Sequence, residues 1–382
     1  MGYAFSTRCL YGNANVQGKS DKTKALTMPI YQTATFAHNG VGKSTGYDYT
    51  RSQNPTREYV EDVVNSLEGG CGALALATGM AAITVTMELF KPGDHIIAGS
   101  DLYGGTTRSF EQINMKNGII VEHVDTDDVN KVEAAIKDNT RAVFIETPSN
   151  PLMRVTDVRK LCEMIKGRDI LLIADNTFLT PYYMRPLELG ADIVIHSGTK
   201  YLGGHNDTEA GFIVAGSKDV FERLRFIMNT TGPVLSPFDS FLVARGIKTL
   251  PLRMDKAQEN AFELVKLLKA HPKVKAVNFV GDPSHPGYEI SKSQTNGFGA
   301  MISFWVDTNK TLVDFLEKIK VIKFAESLGG VESLATYPAM QTHHAIPEHI
   351  RTAMGIDDTF IRLSVGIEDI DDLKEDVLQA LG

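Results

Sequence analysis

The stretch Ser197-Gly198-Thr199-Lys200-Tyr201-Leu202-Gly203-Gly204-His205 sets one lysine among small and hydroxyl-bearing residues. Upstream, Asp175 follows the apolar run of residues 170–174, so it stands at the carboxyl end of a predicted buried strand, where open α/β sheets bind ligands. A lysine that forms a Schiff base and an aspartate that keeps a pyridine nitrogen protonated are the groups that hold pyridoxal phosphate in proteins. The two segments therefore predict a pyridoxal-phosphate site centred on Lys200 and Asp175.

Further residues are expected to bind the phosphate group of this cofactor. A predicted strand turns into a helix at Gly79-Met80, where exposed amide groups and the helix dipole attract anions. Hydroxyl groups on either side of the lysine offer additional donors. The expected phosphate ligands on this part of the chain are Gly79, Met80, Ser197 and Thr199.

Residues 1–50 are predicted to form an extended N-terminal arm, because they contain several Gly, Asn, Thr and Ser residues and little helical periodicity. An arm of this length needs a surface to cover, and a neighbouring subunit is the natural candidate. Tyr49 and Arg51 stand at its end, and an arginine pairs with phosphate through its planar guanidinium. We therefore expect both residues to reach a neighbour's cofactor; the alternative is a solvated loop before a helix.

Two residues are candidates for contact with the reacting groups. Tyr103 follows the predicted strand at residues 95–98, so its ring could stack on the cofactor and its phenol could move protons, although a lone tyrosine more often serves packing. Strand alternation puts Arg362 and Ser364 on one face of residues 360–365. An arginine on such a strand suits a substrate carboxylate, with a structural salt bridge as the alternative.

Apolar runs alternate with helical periodicity from about residue 56 onward, which predicts an α/β domain built on a mainly parallel sheet. The predicted strands are residues 73–77, 95–98, 119–121, 142–145, 170–174, 193–195 and 212–214; the predicted helices include residues 60–67, 127–136 and 158–165. After a long amphipathic stretch at residues 254–268, the pattern indicates a smaller α+β domain. We place the large domain at residues 51–250 and the small C-terminal domain at residues 251–382.

Composition narrows the possible partners and location. The chain has 382 residues, 43% of them hydrophobic and 23% charged, with a net charge of −8, which argues against nucleic acid and anionic membranes as partners. No apolar run approaches the length of a membrane span. Three scattered cysteines, Cys9, Cys71 and Cys162, indicate reduced thiols, a cytoplasmic location and no metal site.

Two alternatives from other classes are weaker. A nicotinamide-dependent dehydrogenase shares the strand–helix alternation, but its GxGxxG fingerprint after the first strand is absent. A catalytically weak regulatory relative is opposed by the presence of Lys200, Asp175, Tyr103 and Arg362.

In combination, these segments resemble the cysteine/methionine-metabolism family of pyridoxal-phosphate enzymes. The resemblance runs over nearly the whole chain and includes Glu146-Thr147-Pro148-Ser149-Asn150-Pro151 and Ser327-Leu328-Gly329-Gly330-Val331-Glu332-Ser333. The other matching segments are residues 49–56, 77–82, 102–104, 175–177, 197–205 and 362–368. The resemblance implies the fold type I architecture, similar to aspartate aminotransferase, with a large, mainly parallel seven-stranded sheet and a smaller C-terminal domain.

The same resemblance implies an assembly and a set of roles. Members of the family form homotetramers built from tight dimers, in which Tyr49 and Arg51 would serve the neighbour's phosphate. Tyr103 would stack on the cofactor ring, and Lys200 would be both the Schiff-base residue and the proton carrier. The implied substrate-binding residues are Asn150, Ser327, Glu332 and Arg362.

The branch of the family is read from a few positions. The segments around Ser327 are most similar to those of bacterial cystathionine γ-synthases and O-acetylhomoserine thiolyases, and Glu332 matches a glutamate typical of synthases and γ-lyases. Methionine γ-lyases usually carry a cysteine where this chain has Gly105. The leading expectation is γ-replacement of an O-acylhomoserine by cysteine or sulfide; the alternative is a cystathionine γ- or β-lyase. Glu209 departs from the pattern, because an apolar residue is expected there.

Overall fold

The computed structural model describes residues 2–12, 25–341 and 348–382. Of the predicted N-terminal arm, residues 13–24 therefore lie outside the described part of the chain. Among the described residues, no helix combines the length and the apolar character that a membrane crossing requires. In the same ranges, no group of three or more His, Cys, Asp and Glu side chains is arranged to hold a metal ion.

A seven-stranded sheet forms the larger layer of the fold. Its strands are β1 (Gly72–Leu76), β2 (His95–Gly99), β3 (Ile120–Val124), β4 (Thr140–Glu146), β5 (Leu171–Asp175), β6 (Ile193–Ser197) and β7 (Gly211–Ala215). They lie in the order β1-β7-β6-β5-β4-β2-β3, and only β7 runs antiparallel to its neighbours. Each predicted strand of the large domain is present, because a sheet covered on both faces needs continuous apolar runs. The predicted fold class is confirmed.

A five-stranded sheet forms the smaller, C-terminal layer. Its strands are β8 (Val274–Asn278), β9 (Met301–Val306), β10 (Lys323–Phe324), β11 (Leu334–Thr336) and β12 (Phe360–Ser364), in the order β10-β11-β12-β9-β8. The pair β10–β11 is parallel and the other pairs are antiparallel. Residues Ile361 and Leu363 of β12 face the core of this layer, which leaves Arg362 on the opposite face, as alternation predicts.

Helices cover both sheets. They are α1 (Phe5–Tyr11), α2 (Pro55–Glu68), α3 (Gly79–Met87), α4 (Gly104–Ser109), α5 (Val129–Ala135), α6 (Val158–Ile165), α7 (Thr180–Tyr183), α8 (Pro186–Leu189), α9 (Lys218–Thr231), α10 (Pro237–Ile247), α11 (Leu250–Ala270), α12 (Tyr288–Gln294), α13 (Asn309–Lys318), α14 (Glu348–Ala353) and α15 (Ile370–Leu381). A π-helical turn, Phe110–Asn114, continues α4. The helix α1 was not predicted; it is short and packs on α2 through the buried Cys9.

Local signals explain where the longer helices begin and end. The Asn54 side chain caps α2 by accepting a hydrogen bond from the Thr56 amide at 3.0 Å, and Pro55 occupies the first turn. Gly69 ends the same helix at φ 79°, in the left-handed region that glycine adopts without strain. These signals extend the helix beyond its predicted apolar stripe at residues 60–67.

A buried polar cluster ties the ends of two central strands to α2. His196 of β6 and Glu68 of α2 are both fully enclosed, and His196 Nε2 lies 2.6 Å from Glu68 Oε1. Asn176, which follows β5, donates its side-chain amide to the same oxygen at 3.2 Å. Because no solvent reaches Glu68, its carboxylate depends on these two donors.

We expect Glu68→Leu to lower the free energy of unfolding by about 3 kcal/mol, because it leaves His196 and Asn176 buried without their shared acceptor. Urea denaturation followed by circular dichroism measures the change. Glu222→Leu, at an exposed position of α9, is the control and should alter the midpoint little. A loss below about 1 kcal/mol for Glu68→Leu would show that the cluster contributes no more than an ordinary surface group.

Candidate active site

A cavity of about 420 Å³ lies between the carboxyl ends of the large-sheet strands and the small sheet. We call it the inner cavity. It brings together residues that are widely separated in sequence and were predicted as site residues. The predicted residues that line it are Gly79, Met80, Tyr103, Asn150, Asp175, Ser197, Thr199, Lys200, Ser327 and Arg362.

Asp175 is the last residue of β5, and its carboxylate is held in a fixed orientation. Thr177 donates both its hydroxyl, at 2.6 Å, and its backbone amide, at 3.0 Å, to Asp175 Oδ1. The Thr177 hydroxyl in turn accepts the Ser197 amide at 2.8 Å, which connects β5 to the segment before Lys200. Removal from water raises the pKa of Asp175, whereas the hydrogen bonds from Thr177 oppose that rise.

Glu146 forms a second carboxylate directly beside Asp175. The two residues end the neighbouring parallel strands β4 and β5 and face each other in register. Burial and the charge of Asp175 raise the pKa of Glu146 well above its usual range. Glu146 Oε2 accepts the backbone amide of Tyr103 at 2.9 Å, so this carboxylate also fixes the start of α4. A cation in the cavity would relieve the repulsion between the two carboxylates.

Lys200 projects into the inner cavity from the turn after β6. Its Nζ donates to Ser327 Oγ at 2.7 Å. Burial, reinforced by the positive charge of Arg362, lowers the pKa of Lys200 to about 8. A substantial fraction of the amine is therefore unprotonated at neutral to mildly alkaline pH, which a nucleophile or a base requires.

Arg362 is almost fully buried, with 2% of its surface exposed. One guanidinium nitrogen donates to Asn150 Oδ1 at 2.8 Å and another to the Ser327 carbonyl oxygen at 2.9 Å. Burial lowers the pKa of Arg362 to about 10. Its Nε is buried and has no hydrogen-bond partner among the described residues.

Ser327 links the two cationic side chains and has an unusual backbone. Its hydroxyl accepts from Lys200, its carbonyl oxygen accepts from Arg362, and its φ is 107°. Residues other than glycine rarely adopt this φ, and such strain persists only where the surroundings enforce it. The two charged donors supply that enforcement.

The N-terminus of α3 lies at one corner of the inner cavity, where its amides and helix dipole suit an anion. Thr78 caps the helix by accepting the Ala81 amide at 3.0 Å, and Gly79 begins it. A Cβ atom on Gly79 would lie 2.9 Å from Ser197 Cβ, so only glycine lets the two segments approach this closely. The hydroxyl of Thr199, which was predicted to bind phosphate, accepts a hydrogen bond from the backbone amide of Ala210 at 3.0 Å.

Three predicted site residues lie outside the inner cavity. Tyr49 and Arg51 are exposed; the guanidinium of Arg51 lies 5.7 Å from the Tyr49 ring centroid and donates to the carbonyl oxygen of Asn229. Glu332 is also exposed, and it accepts the side-chain amide of Asn206 at 2.7 Å.

A second cavity, of about 690 Å³, adjoins the first, and we call it the outer cavity. The two share four lining residues, namely Thr199, Glu209, Glu326 and Ser327. Glu332 lines the outer cavity only. An apolar residue is expected where Glu209 stands, and a buried carboxylate without a partner would be costly at this position. The residue is in fact exposed, at the boundary of the two cavities, so that cost does not arise.

Four residues of this region had no predicted role, namely Glu146, Thr177, Glu209 and Glu326. Glu146 and Thr177 both belong to segments that the family resemblance includes. Each is a polar residue at or just after the end of a buried strand, and that position in the sequence could have identified them. Glu326 immediately precedes Ser327, and only the path of the chain shows that it, rather than Glu332, faces Lys200. Its charge raises the pKa of Lys200, against the larger effect of burial.

The chemistry of the cavity fits pyridoxal phosphate. A protonated ring nitrogen would neutralise the paired carboxylates of Asp175 and Glu146. The corner at Gly79 offers helix amides to a phosphate, and Lys200 offers an amine with a lowered pKa.

The seven-stranded sheet, the smaller sheet and this cavity define a pyridoxal-phosphate-dependent enzyme of fold type I. The chain belongs to the Cys/Met metabolism PLP-dependent enzyme family, whose model matches residues 11–382. The family and the cofactor expected from the sequence are confirmed.

The relatives include both lyases and synthases. The chain is 48% identical over 361 residues to the cystathionine gamma-lyase of Bacillus subtilis (strain 168), which covers 94% of this chain and 95% of the relative. It is 45% identical over 379 residues to the cystathionine beta-lyase of Lactococcus lactis subsp. cremoris (strain MG1363), covering 99% of each. A cystathionine gamma synthase from Xanthomonas oryzae pv. oryzae, crystallised with cystathionine, superposes with a TM-score of 0.96 at 38% identity, covering 100% of this chain and 98% of that chain. The family is therefore one of trans-sulfuration enzymes.

The lowered pKa of Lys200 has a measurable consequence. We expect the rate at which pyridoxal phosphate attaches to the apoprotein to rise about tenfold per pH unit below pH 8 and to level off above it, because the neutral amine reacts. Arg362→Gln removes a neighbouring cation, so the midpoint should move to higher pH. The visible absorption band of the attached cofactor reports the rate.

The control for this experiment is Arg223→Gln, at an exposed position of α9, which should leave the midpoint unchanged. A wild-type midpoint near 10.5, the ordinary pKa of lysine, would contradict the proposed effect of burial.

Proposed function

We propose that this enzyme catalyses γ-replacement, joining an O-acylhomoserine to cysteine to give cystathionine, or to sulfide to give homocysteine. The observation that carries the proposal is the continuity of the two cavities. The inner cavity holds Lys200 and Arg362, which suits one amino acid, and the outer cavity leaves room for a second. A reaction that joins two amino acids needs both spaces.

In this proposal the chain's residues hold the cofactor at both of its ends. Asp175, oriented by Thr177, would accept a hydrogen bond from the protonated ring nitrogen, and the amides at Gly79 and Met80 would bind the phosphate together with the Ser197 hydroxyl. Bound pyridoxal phosphate supplies a covalent link to the amino acid and an electron sink for its α-carbon. Tyr103, whose amide donates to Glu146 and which lines the inner cavity, would cover the ring.

Lys200 is the proposed proton carrier. Its pKa near 8 lets the neutral Nζ remove the proton from the substrate's α-carbon and then return protons at neighbouring atoms. The hydroxyl of Ser327, 2.7 Å away, holds Nζ while it is not bonded elsewhere. In γ-replacement a proton also leaves the β-carbon, and the bond between the γ-carbon and the ester oxygen breaks, so that the acyloxy group leaves as a carboxylate. The thiol then loses its proton and forms a carbon–sulfur bond at the γ-carbon, and protons return to the β- and α-carbons.

Arg362 is the proposed site for the α-carboxylate of the substrate. Its buried Nε lacks a partner among the described residues, and its other nitrogens are fixed by Asn150 and Ser327. A guanidinium held in this way binds a planar carboxylate without further ordering. The substrate's α-carbon is thereby held within reach of Lys200.

Cystathionine cleavage is the second candidate function. It is favoured by the similarity to relatives named cystathionine gamma-lyase and beta-lyase, at 48% and 45% identity. The same Lys200 and Arg362 serve both directions, because cleavage and replacement share the removal of the α-proton. Gly105 argues against a methionine γ-lyase, which usually carries a cysteine at this position. A Cβ atom on residue 105 would lie 2.5 Å from the Tyr103 ring as it is placed here.

A paired product assay tests these functions. We expect O-acetylhomoserine with cysteine to give cystathionine, and cystathionine alone to give little 2-oxo acid. Rapid 2-oxo acid and ammonia from cystathionine alone would instead establish the lyase, with pyruvate marking β-cleavage and 2-oxobutanoate marking γ-cleavage.

Lys200→Ala should abolish product formation in either assay while the circular-dichroism spectrum stays that of the wild type, because its amine is the proposed base and cofactor ligand. Lys218→Ala, at an exposed position, is the matched control. Normal turnover by Lys200→Ala would refute the mechanism.

We also propose that the enzyme works as a homotetramer, a dimer of dimers, in which the N-terminal arm, ending near residue 50, completes the neighbour's site. The exposed positions of Tyr49 and Arg51, outside their own subunit's inner cavity, support this arrangement. In the same proposal, residues 51–250 form the cofactor domain and residues 251–382 the small domain. The free thiols of Cys9, Cys71 and Cys162 support a cytoplasmic location.

Subunit complementation tests the shared site. Arg51→Ala and Lys200→Ala should each have low activity, because each lacks one component of every site. Refolded together, they should recover about a quarter of wild-type activity, since half of the random dimers contain one site with both residues intact. A mixture that remains as inactive as its components would place Arg51 in its own subunit's function instead.

A further inference from the structure

Glu209 stands where an apolar residue is expected, and neither cofactor binding nor proton transfer uses it. Its carboxylate lies at the boundary of the inner and outer cavities. It is close enough to Lys200 for its charge to raise the pKa of that amine, against the larger effect of burial. A carboxylate at this boundary meets any substrate that extends from one cavity to the other.

The carboxylates of Glu209 and Glu326 both remain available to a ligand. Within residues 25–341 and 348–382, neither carboxylate has a hydrogen-bond or ion-pair partner. Of the other acidic residues of the outer cavity, Asp239 accepts from Thr208 at 2.8 Å and Glu332 accepts from Asn206 at 2.7 Å, whereas Asp207 lines the outer cavity without bordering the inner one. Glu209 and Glu326 are therefore distinguished from these three by being both available and at the boundary.

An independent feature fixes which end of a substrate lies inward. Arg362 lines the inner cavity and its guanidinium is an almost fully buried cation, so the anionic end of an amino acid belongs there. The path from Arg362 to the outer cavity therefore runs from a buried cation to carboxylates. A molecule that matches this polarity has a carboxylate at its inner end and an ammonium group further out.

We propose that Glu209 is a specificity-determining residue, which binds the ammonium group of a second amino-acid unit in the outer cavity. This inference rests on the proposed trans-sulfuration function. It predicts that the enzyme prefers cystathionine, or cysteine as the incoming thiol, over a thiol that has no ammonium group. Lys323, exposed on the wall of the same cavity, is placed to meet the carboxylate of that second unit.

Glu209→Gln provides the test, with two thiols compared on one enzyme. With O-acetylhomoserine held constant, we expect kcat/KM for cysteine to fall about tenfold, mainly through KM, and kcat/KM for sulfide to change less than about twofold. Cystathionine cleavage, where it is measurable, should weaken like the reaction with cysteine. Glu209→Asp should recover part of the loss, and Glu222→Gln, at an exposed position of α9, is the control.

The alternative is that Glu209 acts only through the charge of Lys200. In that case Glu209→Gln would shift the pH profile and alter the reactions with cysteine and sulfide equally, which would overturn the inference. Equal, unchanged rates with both thiols would overturn it as well. The proposed γ-replacement fails separately, if the wild-type enzyme with its visible cofactor band forms no product with either thiol; cleavage of cystathionine by Glu209→Gln and wild type then tests the role of Glu209.

Discussion

Two carboxylates set side by side at the edge of a sheet are the constraint on which this site depends. Glu146 and Asp175 end adjacent parallel strands in register, and the protein keeps both largely from water. The charge of one disfavours ionisation of the other, and nearby positive charge is needed to offset that repulsion. Arg362 supplies one cation from the small sheet, and its charge lowers the pKa of Glu146 against the effect of burial. A protonated cofactor ring supplies the other, so the sheet edge selects its cofactor by charge.

The same requirement explains how the two sheets are joined at the site. Arg362 belongs to β12, yet its guanidinium reaches Asn150, which follows β4 of the large sheet. Its second contact holds Ser327 at a φ of 107°, and Ser327 then receives Lys200. One buried arginine therefore positions an amide, a strained backbone and the reactive lysine. Loss of its charge would disturb each of them, since their geometry has no other common support.

Much of the fold was predictable from the sequence because its signals are local. Each large-sheet strand is a short apolar run between turn residues, and Lys200 and Asp175 are marked by motifs a few residues long. Register is not local: the pairing of Glu146 with Asp175 depends on how two distant strands align. Chain path is not local either: Glu326, one position before Ser327, lines the inner cavity and had no predicted role, whereas Glu332, a predicted substrate-binding residue, lines the outer cavity only. Short elements such as α1 depend on tertiary packing and were missed for that reason.

The inner and outer cavities have different proposed roles, and this difference explains why the sequence motifs identify the enzyme family more readily than the reaction that the enzyme catalyses. Every residue of the inner cavity with a proposed role acts on steps that synthases and lyases share, namely holding the cofactor, binding the α-carboxylate and moving the α-proton. The substrates of these reactions differ in the group attached beyond the γ-carbon. Residues that select one reaction over another must therefore contact that group. That group lies toward the outer cavity, whose walls include Glu209 and Glu326. Selection of the reaction partner is therefore carried by charge at the boundary, where this chain departs from the family pattern.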